Sequence, residues 1–193
     1  MAHEIETMMS VRLKPWHYEM TKDVTKIIQI APNSHQALVA AGLDWTVESK
    51  PIYDAHGNII KGFKANTRSS DSKVLGIVSD RYKIVQNVDA FQFTDNLIGG
   101  YVRYETAGSL NGGSRVWMMA RMPEAKILGD KVDNFLVFLN SFDGSEALKV
   151  FTTNVRCVCN NTISLALKTT KRCWSMKHTK RVEENLLEAE ETL

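Results

Sequence analysis

Two glycine-bearing turn signals, Asn111-Gly112-Gly113 and Asp143-Gly144, each lie between runs rich in alternating and β-branched or aromatic side chains. Such turns accept left-handed backbone, and the flanking runs have the period of extended chain. YVRYETAGSLNGGSRVWMMARM and NFLVFLNSFDGSEALKVFTTNVRCV therefore each read as a β-hairpin, with Pro123 and Gly129 marking the link between them. Four successive antiparallel strands make a meander. Asn160-Asn161-Thr162 then caps a helix that begins near Ile163 and carries an apolar stripe of Ile163, Ala166 and Leu167. Hairpins followed by a helix across one face define an α+β fold, an antiparallel sheet packed against helices.

The rest of the chain fits around that unit. Residues 1–31 read as an N-terminal arm in which Val24, Ile27 and Ile28 suggest a turn or two of helix. Asn33 or Ser34 caps a short helix that Gly42 ends. Leu43, Trp45 and Val47 alternate with polar residues, and residues 43–64 read as a hairpin turning at Asp54–Asn58. Residues 66–73 are polar and loop-like, VLGIV and YKIVQ are extended, and DAFQFTDNLIGG is a helix begun near Asp89 and closed by Gly99-Gly100. The organisation expected is an arm over 1–31, one core domain over 32–174, and a charged C-terminal helix over 175–193. Nothing between 131 and 157 supplies an edge-blocking proline, so the meander's edges invite self-association into a ring or filament.

Several function classes are disfavoured. No apolar run approaches the roughly 18 residues of a membrane span, and the first residues lack the apolar stretch of a signal peptide. Three cysteines make no disulfide framework; Cys157 and Cys159 read as reduced thiols of a cytoplasmic chain. The histidines at 3, 17, 35, 56 and 178 form no metal-ligand pair, and neither Gly99-Gly100 nor Gly112-Gly113 has the context of a phosphate-binding loop. Asp143 is explained by its turn, and the spacing of Cys157, Cys159 and His178 gives no support for a nucleophile and base. The expectation is a protein with no catalytic residue, metal or cofactor.

Charge is more informative. The formal net charge is +2, yet residues 168–181 carry six cations and no acid, while 182–193 carry five glutamates; six minus five leaves +1 for everything before. Lys168, Lys171 and Arg172 stand at helical i, i+3, i+4 spacing, and Lys177, Lys180 and Arg181 repeat it. Nine positions separate the triads, about half a revolution, so a straight helix would set them on opposite sides. Phosphate binding needs cations held along a path, and Trp174 between the triads could stack on a base. Arg103 and Arg115, with Tyr101 and Trp117 close by, fall on the two strands of the first hairpin, as in sheet-surface binders of single strands. Arg156 precedes a helix N-terminus, where a phosphate could meet backbone donors. The structural alternative is a solvated basic face pairing with Glu184 and Glu188, a core tryptophan, and half-exposed sheet arginines.

MAHEIETM, Pro15-Trp16-His17, ETAGSLNGG-RVW, NSFDGS and NVRCVCNNT, in that order, resemble the phage- and plasmid-borne proteins of the domain of unknown function 932 family. Here Tyr18-Glu19 follows the Trp-His pair where that family has a glycine-containing turn, and the resemblance carries the expectation of a chain shortened inside a C-terminal helix. The resemblance implies a role in a bacterial host's cytoplasm. The strand-strand-strand-helix order is distantly similar to phage single-strand annealing proteins. The expectation is an oligomer that coats or anneals single-stranded DNA, with RNA as a further ligand. The alternatives are a protein-interaction or counter-defence factor that binds no DNA, and a small-molecule-binding or hydrolytic protein.

Overall fold

The apolar runs on either side of the two glycine turns do pair, and other strands extend them on both sides. In the structure, a computed structural model, residues 4–99, 102–123, 125–127 and 130–178 are described, with side chains for 4–99, 102–123 and 132–178. The first half contains β1 (Ile5–Val11), α1 (Tyr18–Thr21), β2 (Thr25–Ile28), α2 (Ser34–Ala40), β3 (Val47–Tyr53), β4 (Ile59–Arg68), β5 (Val74–Ser79) and α3 (Asn87–Ile98). The second contains β6 (Arg103–Leu110), β7 (Arg115–Arg121), β8 (Ala125–Ile127), β9 (Asp130–Val132), β10 (Phe135–Ser141), β11 (Leu148–Thr153), α4 (Asn160–Thr169) and β12 (Cys173–Met176).

The large sheet has the order β12-β11-β10-β7-β6-β1-β2, antiparallel except for the parallel β1–β2 pair. The meander β6-β7-β10-β11 is as expected, and the fold is α+β. Strand alternation divides the core. Met9, Ala107, Met118, Leu136, Phe138 and Val150 face α2 and α3, whose Leu38, Phe91 and Phe93 cover them. Met8, Trp117, Met119, Val137, Leu139 and Phe151 face the segment Cys157–Cys159 and α4, through Ile163 and Ala166. Both faces of the central strands are therefore closed to solvent. A separate three-stranded sheet, β3-β4-β5, docks on the turn after β10: Asn66 Nδ2 donates to the Phe142 carbonyl at 2.7 Å, and Tyr82 Oη donates to that of Ser141.

Several expectations are corrected. The stretch taken as an arm, 1–31, supplies β1 and β2 to the large sheet, and Thr25–Ile28 is a strand where helical spacing had suggested a turn of helix. Three apolar residues fit either period, and pairing with β1 decides. The meander edges are not free, because β12 pairs with β11 and β1 with β6. Asn66, Thr67 and Arg68, taken as the start of a loop, are buried ends of β4. Residues 82–86 carry no strand. The residue capping α4 is Cys159; Asn160 and Asn161 already lie in its first turn. The core boundary at 174 falls inside β12, and residues 175–176 are strand; the remainder of the anticipated terminal helix from 179 lies outside the described residues. Among the described residues no helix is long and apolar enough to cross a membrane.

Candidate nucleic-acid interface

The arginines singled out on the sheet are held by neighbours. Arg115, at the start of β7, is 8% exposed; its guanidinium donates to Glu146 at 3.1 Å and to Asn160 Oδ1. Arg156 Nε donates to Glu105 at 2.9 Å, and its outer nitrogen donates to Ser10 Oγ at 3.0 Å and the Val11 carbonyl at 3.1 Å. Glu105 also accepts from Arg121 at 3.1 Å. These groups knit β1, β6, β7 and the segment before α4. Arg103 is exposed at the start of β6, where it donates to the Val102 carbonyl. Trp117 is fully buried under α4, with Nε1 donating to Thr106 at 3.3 Å. Tyr101 lies outside the described residues. Of the anticipated basic-aromatic sheet surface, Arg115 and Trp117 are therefore buried and Arg103 is exposed.

The cations at the end of α4 fare differently. α4 ends at Thr169, so Lys168 occupies its last turn while Lys171 and Arg172 follow it; they share a corner of the molecule, not a helical face. Thr170 Oγ1, 2.8 Å from the Thr152 carbonyl and 2.9 Å from that of Arg172, fixes this corner to β11. All three cations are exposed, and Lys168 and Lys171 form no ion pair with another described residue. Beside them lies a groove of about 520 Å³ in which Val132 and Val155 stand among Asn134, Thr152, Thr169 and Lys171, so that hydroxyl and amide groups are set in a mostly apolar lining. A cation there also complements the helix's terminal carbonyls, its simplest structural role.

The tryptophan between the triads does not join this corner. Trp174 lies opposite Val150 in the β11–β12 pair and packs in the α2–α3 core, on the other side of the sheet from α4. Lys177 is exposed just after β12, and Lys180 and Arg181 lie outside the described residues. Of the ten anticipated residues, the structure therefore gathers Lys168, Lys171 and Arg172.

Two exposed features were not read from the sequence as binding surfaces. The first is the connection from β1 to β2. His17 is fully buried, its Nε2 3.0 Å from the Val158 carbonyl and its Nδ1 3.1 Å from Thr21 Oγ1, while Trp16 beside it is 65% exposed. The second is the distal part of the β3–β4 hairpin, where Tyr53, Ile59, Ile60 and Phe63 are exposed. The Pro-Trp-His triplet and the apolar residues of an otherwise polar hairpin were the available signals.

Nucleophilic chemistry finds little footing. Burial, with Cys159 close by, pushes the Cys157 thiol up to about 12, so it is neutral at physiological pH. His178 bonds to the Lys83 carbonyl and stacks on Tyr82, and no described hydrogen bond links it to Cys157. Among the described residues no three His, Cys, Asp or Glu side chains are grouped to hold a metal.

A family model described as a domain of unknown function (DUF932) matches residues 74–193, from β5 onward. That span contains ETAGSLNGG-RVW, NSFDGS and NVRCVCNNT. No curated protein and no solved structure matches the chain.

Proposed function

The chain belongs to the domain of unknown function 932 family, and from that premise we propose that it is a non-enzymatic nucleic-acid-binding protein of a phage or plasmid. Its ligand in this reading is single-stranded DNA, coated or annealed by several copies together. One observation carries the reading. Lys168, Lys171 and Arg172 form an exposed cationic corner beside a groove that mixes threonine and asparagine side chains with Val132 and Val155, while Arg115 and Arg156 are held in internal networks. Cations with a nearby row of hydroxyl and amide groups suit a sugar-phosphate backbone, which supplies both charge and acceptors. Assembly has its own support. The distal β3–β4 hairpin presents Tyr53, Ile59, Ile60 and Phe63 in a small sheet whose outer strands pair with no further described strand, a surface suited to a second copy.

The same hairpin favours a second reading, a protein-interaction or counter-defence factor in which those residues meet another protein and DNA is not bound. Fluorescence anisotropy separates the two. Labelled single-stranded DNA, its duplex and a matching RNA are titrated over a range of salt, with Lys168→Glu/Lys171→Glu/Arg172→Glu beside the wild type. Single-strand binding whose logarithmic salt slope is shallower by about 2 in the variant supports DNA binding, since each cation contributes about 0.7. A folded wild type that binds no nucleic acid at low salt overturns it and leaves the interaction reading.

A further inference from the structure

We infer that the cleft where the β10–β11 turn meets the end of β5 and the end of β12 is a binding site for a nucleoside monophosphate. The inference goes beyond the DNA-binding reading and does not rest on it. Along the chain β12 separates the cleft from the cationic corner: Lys171 and Arg172 precede the strand, and Lys177 and His178 follow it. Three segments distant in sequence converge on the cleft, whose volume is about 420 Å³. Arg81 and Tyr82 come from just after β5, Ser145 and Glu146 from the turn, and Lys177 and His178 from beyond β12. The walls are fixed in place. Lys83 N–H donates to the His178 carbonyl at 3.1 Å, and His178 Nδ1 donates to the Lys83 carbonyl at 3.0 Å. Tyr82 stacks on the imidazole, with centroids 4.5 Å apart and planes at 15°, and its hydroxyl donates to the Ser141 carbonyl. The turn is closed by Asp143 Oδ1, which accepts from Ser145 N at 2.9 Å.

Unused hydrogen-bonding capacity singles this cleft out. With Nδ1 as the donor, His178 keeps its lone pair on Nε2, across a ring that is 6% exposed, and no described group donates to it. Glu146 Oε2 is shielded as well and accepts no hydrogen bond, although Arg115 stands 3.0 Å away as its counter-charge. Among the described residues five buried side-chain atoms lack a hydrogen bond, and these two belong to residues that line the same cleft. A buried acceptor without a donor has lost its hydration for nothing, so native interiors leave few of them. Arg81 and Lys177, by contrast, are exposed and form no ion pair with another described residue. The cleft thus offers acceptors on its inner side and cations toward solvent. A ligand that uses both has an N–H donor at one end and an anion at the other. A nucleotide has that layout, since every base carries an amino or imino N–H and the phosphate suits Arg and Lys. The volume falls within the range of small-molecule sites and exceeds what inorganic phosphate fills. Ordered water alone would serve Nε2 and give the two cations no role.

The test titrates the full chain with deoxyadenosine monophosphate, deoxyadenosine and inorganic phosphate, followed by calorimetry and by backbone amide NMR shifts. The nucleotide is expected to bind at least about tenfold more tightly than either part. It should move the amide signals of Gly144, Ser145 and Lys177 and leave those of Lys168 and Lys171 in place. Arg81→Ser/Lys177→Ser, at two exposed positions, is expected to lower nucleotide affinity to that of the nucleoside, with nucleoside binding unchanged. His178→Phe keeps a ring against Tyr82 and removes Nε2, and should weaken nucleoside and nucleotide alike by about tenfold. Circular dichroism melts check that both variants fold, and the serine pair decides if His178→Phe does not. Displacement of the nucleotide by oligo-dA carrying a terminal phosphate assigns the site to a strand end, and failure to displace assigns it to the free nucleotide; both support the site. Inorganic phosphate binding as tightly as the nucleotide makes the cleft a simple anion site and overturns the inference. So does a folded wild type that binds no nucleotide at millimolar concentration, or shifts confined to Lys168 and Lys171. Each of those failures leaves the salt-dependent strand binding at the corner untouched, and failure of strand binding leaves the nucleotide result standing.

Discussion

Arg115 donates to Glu146 and Asn160 from a position that solvent barely reaches, and that environment sets what its loss would do. Removing the guanidinium leaves the partly buried Glu146 with only Lys149, 3.9 Å away, and takes the donor from Asn160 Oδ1. Arg115→Ala is therefore expected to lower unfolding free energy by about 3 kcal/mol in a urea titration, while the folded fraction keeps its DNA affinity. Lys168→Glu should do the reverse, changing affinity and leaving the urea midpoint nearly fixed. His178 offers a different residue-scale test. Its Nδ1, 3.0 Å from the Lys83 carbonyl, carries the hydrogen, and Nε2 is buried with no hydrogen-bond partner among the described residues. Burial holds its pKa below the ordinary histidine value, opposed by the Lys83 carbonyl. The neutral form is thus favoured by folding. Its contribution is present above the ordinary value of about 6.5 and is lost as pH falls through the lower folded value. Melting temperatures should fall between about pH 7 and about pH 5, and His178→Gln should flatten that dependence.

Among the elements, α4 shows how a short helix is begun without a conventional capping side chain. Thr162 Oγ1 accepts the backbone N–H of Val158 at 2.8 Å and of Cys159 at 3.0 Å, satisfying donors just ahead of the helix. Thr162→Val keeps the shape and removes the acceptor. It should cost about 1–2 kcal/mol in thermal or urea unfolding. The same segment carries the Val158 carbonyl that anchors His17, so increased proteolysis between residues 12 and 24 is the expected companion effect. The hairpin turn and the start of α2 were legible because their signals are local; the sequence left Asn33 or Ser34 as the cap, and the structure has Asn33 Oδ1 accepting from Gln36 N at 3.0 Å and Gln36 Oε1 accepting from Asn33 N at 3.2 Å. The strand character of Thr25–Ile28 was not, since it depends on β1, more than ten residues away.

At the scale of the whole molecule, the small sheet is joined to the large one by a few close contacts. A Cβ built on Gly76 would lie 2.3 Å from the Asp143 backbone Cα, which only a shift of one sheet against the other could relieve. Arg68 spans the same junction, donating to Glu6 of β1 at 2.8 Å and to Asp71 at 2.6 Å. Burial raises the Glu6 pKa, but the hydrogen bond and charge of Arg68 outweigh it and hold the carboxyl below its usual range. Gly76→Val is expected to destabilise by about 2–4 kcal/mol. Amide protection should be lost first in β3–β5 if the small sheet opens as a unit; uniform loss across both sheets would show that the two unfold as one body.

The sequence by itself determined the four-strand meander, the helix after it and the concentration of charge near the C-terminus. Turn chemistry, side-chain period and cation spacing all act over a few residues, so they are written locally. What the cations can touch was a tertiary matter. Arg115 and Arg156 look like Lys168 and Lys171 in the sequence, yet Glu146, Asn160, Glu105 and Ser10 reach the first two and no described carboxylate reaches the others. Likewise, the burial of His17 and the exposure of Trp16 follow from a carbonyl 141 residues away. Burial and pairing depend on what packs from distant parts of the chain, and only the folded arrangement brings those parts together.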